Sequence, residues 1–231
     1  MHVPDGFLDA PTSVATGVVA VAGVALALRG ARNELDDRTA PLAGLVAAFV
    51  FAGQMMNFPV AGGTSGHLLG GALAAVLVGP YAGVLCISVV LAVQALLLAD
   101  GGITALGTNI TLMALVGVVA GYAVFKAVLL VLPRRLSSVA PAAAIGALLS
   151  VPAAALVFSL LFAVGGEAPI GFGKVLGAML GWHLLIGIGE AAITGLVVGS
   201  VLAVRPDLVY GARGLFGDRK LEIRATAGGA A

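Results

Sequence analysis

The chain has 231 residues, of which 60% are hydrophobic and only 10% charged, with a mean hydropathy of +1.12. A soluble domain carries roughly 25% charged residues, so an ordinary cytosolic fold is excluded. The net charge of +1 gives no reason to expect a nucleic-acid partner.

The first eleven residues, MHVPDGFLDAP, are followed by apolar stretches that predict seven helices, at 12–30, 41–57, 67–79, 81–98, 107–132, 138–165 and 174–204. The expected fold class is therefore all-α, a polytopic membrane helix bundle. Crossing the hydrocarbon takes about 20 residues, so the third stretch is short, and Gly79-Pro80 cuts it from the fourth. The first stretch lacks the basic flank of a cleaved leader: Asp5 and Asp9 precede it and Arg29 and Arg32 follow. It reads as a retained span, and Met1, before a bulky second residue, is expected to stay. Pro133-Arg134-Arg135 ends the fifth helix, and Pro141 and Pro152 are potential kinks in the sixth. The lone cysteine, Cys86, lies in an apolar run and has no internal disulfide partner. Residues 1–204 read as one membrane-embedded domain, with 1–11 as a distinct N-terminal segment. Residues 205–231 are expected to form a partly disordered tail.

The 34 glycines fit close helix packing. Gly117 and Gly121, and Gly173, Gly177 and Gly181, repeat at four-residue spacing; both sets are assigned to crossings within the chain.

Basic residues orient the bundle. Arg29, Arg32, Arg38, Lys126, Arg134, Arg135, Arg205, Arg213, Arg219, Lys220 and Arg224 fall on one side of an alternating seven-span layout; Lys174 falls on the other. The positive-inside rule then puts the N-terminus outside and the tail in the cytoplasm, a multi-pass protein of the cell membrane. His2, Asp5, Asn57, Thr64, Ser65, His67, Asp100, Thr108 and Asn109 collect at the outer ends of the spans.

His2 follows the α-amine directly. The amine, the amide nitrogen of His2 and its imidazole can close two fused chelate rings on one ion, and planar nitrogens suit Ni(II) or Cu(II) better than tetrahedral zinc. Only His67 and His183 remain as further histidines, and His67, at the start of the third helix, is the natural fourth ligand. The alternative is that His2 is incidental and His67 caps a helix; spacing alone leaves both open. His183 and Glu190 share a face deep in the seventh span. They are either a passage or partners of neighbouring helices such as those bearing Gln54 or Gln94, away from the N-terminal chelate in depth. A different class of function comes from Gly63-Thr64-Ser65-Gly66, where Ser65 with His183 as base would make an intramembrane serine protease. No phosphate-binding pattern of the G-x-x-x-x-G-K-[ST] type occurs, so ATP-driven transport would need a separate nucleotide-binding subunit.

Four segments, MHVPDGFLD at 1–9, SGHLLGG at 65–71, QALLLADGGITALGTNI at 94–110 and HLLIGIGEAAITG at 183–195, resemble the CbiM/NikM family, over about residues 1–204. These are the substrate-binding membrane components of cobalt and nickel energy-coupling-factor transporters. The resemblance implies a non-enzymatic importer subunit with no resident cofactor, carrying Ni(II) or Co(II). It implies that the N-terminal segment is inserted into the helical body and that the Met1 amine, the His2 amide and imidazole, and His67 hold the ion. The partners it implies are a transmembrane coupling component, cytoplasmic ABC-type ATPases and a small accessory membrane subunit. Asn57, Ser65, Asp100 and Asn109 are then candidates to hydrogen-bond and orient the ligands. Asn57 and Ser65 flank the His67 loop, and Asp100 and Asn109 fix the glycine-rich loop.

Overall fold

A computed structural model describes residues 1–37, 39–56, 58–59 and 65–215. Its seven helices are α1 (Ala10–Ala31), α2 (Ala40–Gln54), α3 (Gly71–Val78), α4 (Pro80–Leu97), α5 (Leu106–Val131), α6 (Val139–Gly165) and α7 (Phe172–Val204). A two-residue antiparallel ladder pairs Phe58–Pro59 (β1) with Ser65–Gly66 (β2). Arg38, Asn57, Thr64 and the tail beyond residue 215 lie outside the described residues, and at Ser65 only the backbone is described.

α1, α4, α5, α6 and α7 are long and apolar enough to cross a membrane; α2 has 15 residues and α3 eight. The protein is a multi-pass membrane helix bundle. α1 shows why. Asp9 caps it by accepting from the Thr12 N–H at 2.8 Å, and Thr12, Thr16, Ala20, Ala27 and Ala31 form its buried stripe. Val14, Val18, Val21 and Leu28 point outward, apolar where a soluble protein would be charged.

α3 is the exception. All eight of its residues are buried, as expected of a helix apolar on every side. It rises only about 12 Å, less than half the hydrocarbon thickness. The volume at its N-terminal end is filled by irregular chain, residues 65–70 and the N-terminal segment. Sequence reading began this helix at 67 and placed His67 on it; the helix begins at Gly71. The cause is local: Gly70 is left-handed at φ 77°, and the Leu69 and Gly70 N–H groups bond to the Glu190 carboxylate at 2.8 and 2.9 Å.

The two glycine sets behave differently. A Cβ on Gly71 would lie 2.8 Å from the Gly117 carbonyl carbon, and one on Gly121 would lie 2.6 Å from the Ala72 Cβ. α3 and α5 thus cross at Gly117 and Gly121, within the chain. A Cβ on Gly173, Gly177 or Gly181 would meet no heavy atom within 4 Å among the described residues, so the expected internal crossing is not made there by the described chain. α6 runs unbroken through Pro152, and Pro141 falls in its first turn, where proline costs little.

The two ends of the bundle differ. Glu34 of the α1–α2 loop accepts from the Ala82 N–H at 2.7 Å, and the Arg213 guanidinium donates to the Glu34 carbonyl at 3.1 Å. Lys126, Arg134 and Arg213 line one 420 Å³ cavity at this end. At the other end the Asp9 N–H donates to the Gly165 carbonyl at 2.7 Å, and the Gly102 N–H to the Val3 carbonyl at 2.9 Å.

Substitution of Gly71 by Ala should lower the melting temperature in detergent by several degrees, the signature of about 1–3 kcal/mol of overpacking. Gly177→Ala should leave it unchanged or raise it, because the added methyl meets nothing and alanine favours the helix. Equal effects of the two, read by thermal melts, would contradict the crossing.

Candidate functional site

The N-terminal segment runs into the bundle rather than away from it. Met1 is 1% exposed, His2 4% and Val3 0%. Buried main-chain groups need partners, and this stretch has them. The Val3 N–H donates to Asn109 Oδ1 at 2.7 Å, and Asn109 Nδ2 donates back to the Val3 carbonyl at 3.1 Å. Asp5 accepts from the Thr104 hydroxyl at 2.5 Å and from the Thr104 N–H at 2.8 Å, and these bonds, the hydroxyl's first, hold its carboxyl below the usual range. Phe7 packs on Phe158 and Phe162, and Leu8 bridges Gly166. Gly101, at φ 89°, brings its backbone against His2 and Asn109; a Cβ there would sit 3.2 Å from His2 Cδ2.

This threading places the Met1 amine in hydrogen-bond contact with His67 Nε2, both wholly buried. The His2 and His67 rings stack with centroids 4.4 Å apart and planes 26° apart. The His67 tautomer is fixed, because a carbonyl oxygen only accepts: Nδ1–H donates to the Leu68 carbonyl at 2.7 Å, leaving the Nε2 lone pair toward the amine. The His2 ring lies between two oxygen acceptors, Gln94 Oε1 at 3.1 Å from Nε2 and Asp100 Oδ1 at 3.0 Å from Nδ1.

Burial governs protonation here. Residue 1 precedes α1 and residue 67 precedes α3, so neither belongs to a spanning helix. Loss of solvent pushes the Met1 amine down to about 4 and lowers His67 well below its ordinary value. Both nitrogens are therefore neutral at pH 7, with lone pairs available to an electrophile.

Beneath them lies a second polar layer. Glu190 grips the Leu69 and Gly70 amides, and Gln54 Nε2 donates to the Leu69 carbonyl at 2.9 Å. Glu190 and Asp100 both act electrostatically on the Met1 amine. Among the described residues no three His, Cys, Asp or Glu side chains gather as a metal cluster. The groups that converge here are the Met1 amine and the His2 and His67 imidazoles.

Comparison with known proteins shows the family. The family profile for the substrate-specific transmembrane region of cobalt uptake matches residues 2–208. The chain belongs to the CbiM family. A protein of Haloquadratum walsbyi named for metal transport is 41% identical over 210 residues, covering 91% of this chain and 94% of that one. A protein named as a fused nickel transport protein, from Archaeoglobus fulgidus, is 40% identical and covers 90% of this chain and 68% of its own length. The crystal structure of a truncated transition metal transporter superposes with a TM-score of 0.82 at 33% identity, covering 88% of this chain and 99% of that one. As a CbiM protein, the chain is a membrane component of metal transport, and that family is not one of enzymes.

Against this frame the expected site residues divide clearly. Met1, His2 and His67 are brought together, and Asp100 touches His2. Asn109 clamps Val3 rather than only the glycine-rich loop. Asn57 lies outside the described residues, as does the side chain of Ser65. Glu190 reaches the His67 loop, holding the Leu69 and Gly70 amides that follow it, and both Glu190 and His183 interact electrostatically with the Met1 amine. The Ser65–His183 protease reading gains nothing: His183 Nδ1–H is tied to the Met179 carbonyl at 2.7 Å, and the family is one of transport. Gln94, the partner of His2, was considered only as a neighbour of His183; a buried glutamine in an apolar span was the available signal.

Replacing Asn109 by Ala leaves the buried Val3 N–H unsatisfied, a cost of about 1–3 kcal/mol. The N-terminal segment should open more often, and acylation of the Met1 α-amine, read by peptide mass spectrometry, should rise about tenfold. An unchanged rate would show that Asn109 does not hold the segment.

Proposed function

We propose that this CbiM protein is the substrate-binding component of an ATP-driven importer of Ni(II) or Co(II). It captures the ion at the outer face with the Met1 amine, the His2 amide and Nδ1, and His67 Nε2. The observation that carries the reading is the buried contact between the Met1 amine and His67 Nε2. Amine, amide and Nδ1 of a residue-2 histidine form a five- and a six-membered ring around one ion and leave a single in-plane position. That position is trans to the amide and adjacent to the amine. A His67 nitrogen touching the amine is where such a ligand has to be.

The protein contributes preorganisation. The Met1 amine and His67 Nε2 are neutral lone-pair donors, and the His2 amide has to lose a proton, which an acidic divalent transition ion accomplishes. Gln94 fixes the His2 ring, and the Leu68 carbonyl fixes that of His67. An all-nitrogen planar set favours Ni(II) and rejects Mg(II) and Ca(II), which want oxygen. The positive-inside rule puts this end outside. Release inward requires the amine or His67 to swing away. A transmembrane coupling component and cytoplasmic ATPases drive that step by binding one conformation better, and a small accessory membrane subunit completes the assembly. The fused nickel transport relatives support association with a further component, since their names record a second part joined to the one matched here. The domain is taken as residues 1–204, with 205–231 a cytoplasmic tail.

In cells carrying the whole transporter, His67→Ala should reduce metal uptake at least about 100-fold, since loss of even an outer hydrogen-bond partner costs about 10–100-fold. One glycine added before Met1 should be as damaging, because it displaces the amine. Normal uptake in either strain, with equal protein in the membrane, would overturn the assignment.

A further inference from the structure

At the basic end of the bundle, away from the N-terminal segment, the 420 Å³ cavity lies between the end of α5 and the chain that follows α7. Its volume falls in the range of small-ligand sites, about 300–1,000 Å³. The lining is divided in character. Lys126, Arg134 and Arg213 supply three cations, no acidic residue is among the described lining, and leucine and glycine make the rest of the wall.

The wall opposite α5 is held by packing. Val209 and Ala212 are wholly buried, and a Cβ on Gly211 would lie 2.7 Å from Phe125 Cζ. Glycine lets this turn, Tyr210–Ala212, close on α5 at the residue before Lys126. Arg213 is fixed in turn: Nη1 donates to the Glu34 carbonyl at 3.1 Å, and the guanidinium carbon lies 4.8 Å from the centroid of the Tyr210 ring. A guanidinium has five N–H donors, so the bond to Glu34 leaves others for a ligand. Among the described residues neither Lys126 nor Arg134 makes an ion pair. Residues 216–231 carry Arg219, Lys220 and Arg224 against Asp218 and Glu222, so the rest of the chain adds positive charge at this end.

Position in the bilayer says what fits. α5 is long and apolar enough to span, and the positive-inside rule turns this end to the cytoplasm. Lys126 precedes the helix end at Val131 by about 8 Å, a depth from which its ammonium reaches the headgroup layer by extending along the helix. Leu130 and Val131 are 87% and 86% exposed, and beside a membrane span that surface meets acyl chains. Cations at the rim with an open leucine wall below them match an anionic headgroup and its tails, the ligand that basic pockets between spans take on this side. A soluble anion would have no use for the leucines.

We infer that this cavity binds the phosphate headgroup of an anionic membrane phospholipid, held by Lys126, Arg134 and Arg213, with the acyl chains along Leu129 and Leu130. Arginine meets phosphate through paired N–H groups and lysine as a point charge. The bound lipid ties the end of α5 to the Tyr210–Ala212 turn. The inference is independent of the metal chelate.

The test is native mass spectrometry of the purified full chain in detergent, with phosphatidylglycerol and phosphatidylcholine of the same acyl chains. Wild type should retain phosphatidylglycerol at least about tenfold better. Lys126→Gln with Arg134→Gln should bind it about 25-fold more weakly, each cation contributing about fivefold; Arg213 is left in place because it also ties the α1–α2 loop. Arg32→Gln, at the same end but outside the cavity, should change binding by less than about twofold in physiological salt. An equal loss at Arg32 would mean a diffuse surface effect and would overturn the site. Millimolar inorganic phosphate should leave the lipid bound; its displacement would make the ligand a soluble anion and overturn the assignment to lipid. A wild type without preference for phosphatidylglycerol would leave the cavity to an acidic segment of a partner protein, and the proposal would fall. The lipid preference and the phosphate competition are read on wild type and need no variant to fold.

Discussion

The structure is organised around a helix that is too short. α3 rises about 12 Å, yet it occupies the centre of a bundle that spans a membrane. Irregular backbone is tolerated at such depth only where the protein itself satisfies it. The chain meets this demand with four side chains: Asn109 for Val3, Glu190 for Leu69 and Gly70, Gln54 for Leu69, and Gln94 for the His2 ring. Removing any one leaves a buried polar group without its partner, which is why these groups form one interdependent cluster.

That constraint connects fold to chemistry. A chain end is ordinarily the most mobile part of a domain, and an exposed amine is protonated and useless as a ligand. Insertion above α3 makes it both fixed and neutral. The two stacked imidazoles are each oriented by an oxygen acceptor, and the His67 lone pair faces the amine. In the proposed chelate this replaces the side-chain cluster usual in metalloproteins. The opposite end of the bundle is of another kind, with Glu34 and Arg213 tying the α1–α2 loop to the end of the described chain. One end carries buried, closely packed polar groups and the other is basic.

Much of this was legible in the residues. The seven helices follow from apolar runs and proline breaks, and the shared end of the basic loops follows from alternation. His2 next to an amine is a chelating pattern in any chain. What local pattern could not supply was tertiary. Gly70 in a left-handed conformation and Glu190, 120 positions away, jointly delay the start of α3, and no window around residue 67 contains Glu190. The same is true of Glu190 itself: helix counting places it deep in the last span, and only the fold brings it to the Leu69 and Gly70 amides beside His67. Glycine spacing misled at Gly173, Gly177 and Gly181, because a small-residue repeat permits a crossing without requiring one. The membership in the CbiM family, visible in four motifs, is supported by a profile match to residues 2–208.

The central claim is that the start of the polypeptide is itself a ligand set. Anomalous diffraction from crystals of the nickel-loaded full chain tests it most directly. The account predicts one peak about 2 Å from the Met1 nitrogen, the His2 amide nitrogen, His2 Nδ1 and His67 Nε2. A peak lying elsewhere, with the Met1 amine unbound, would contradict it.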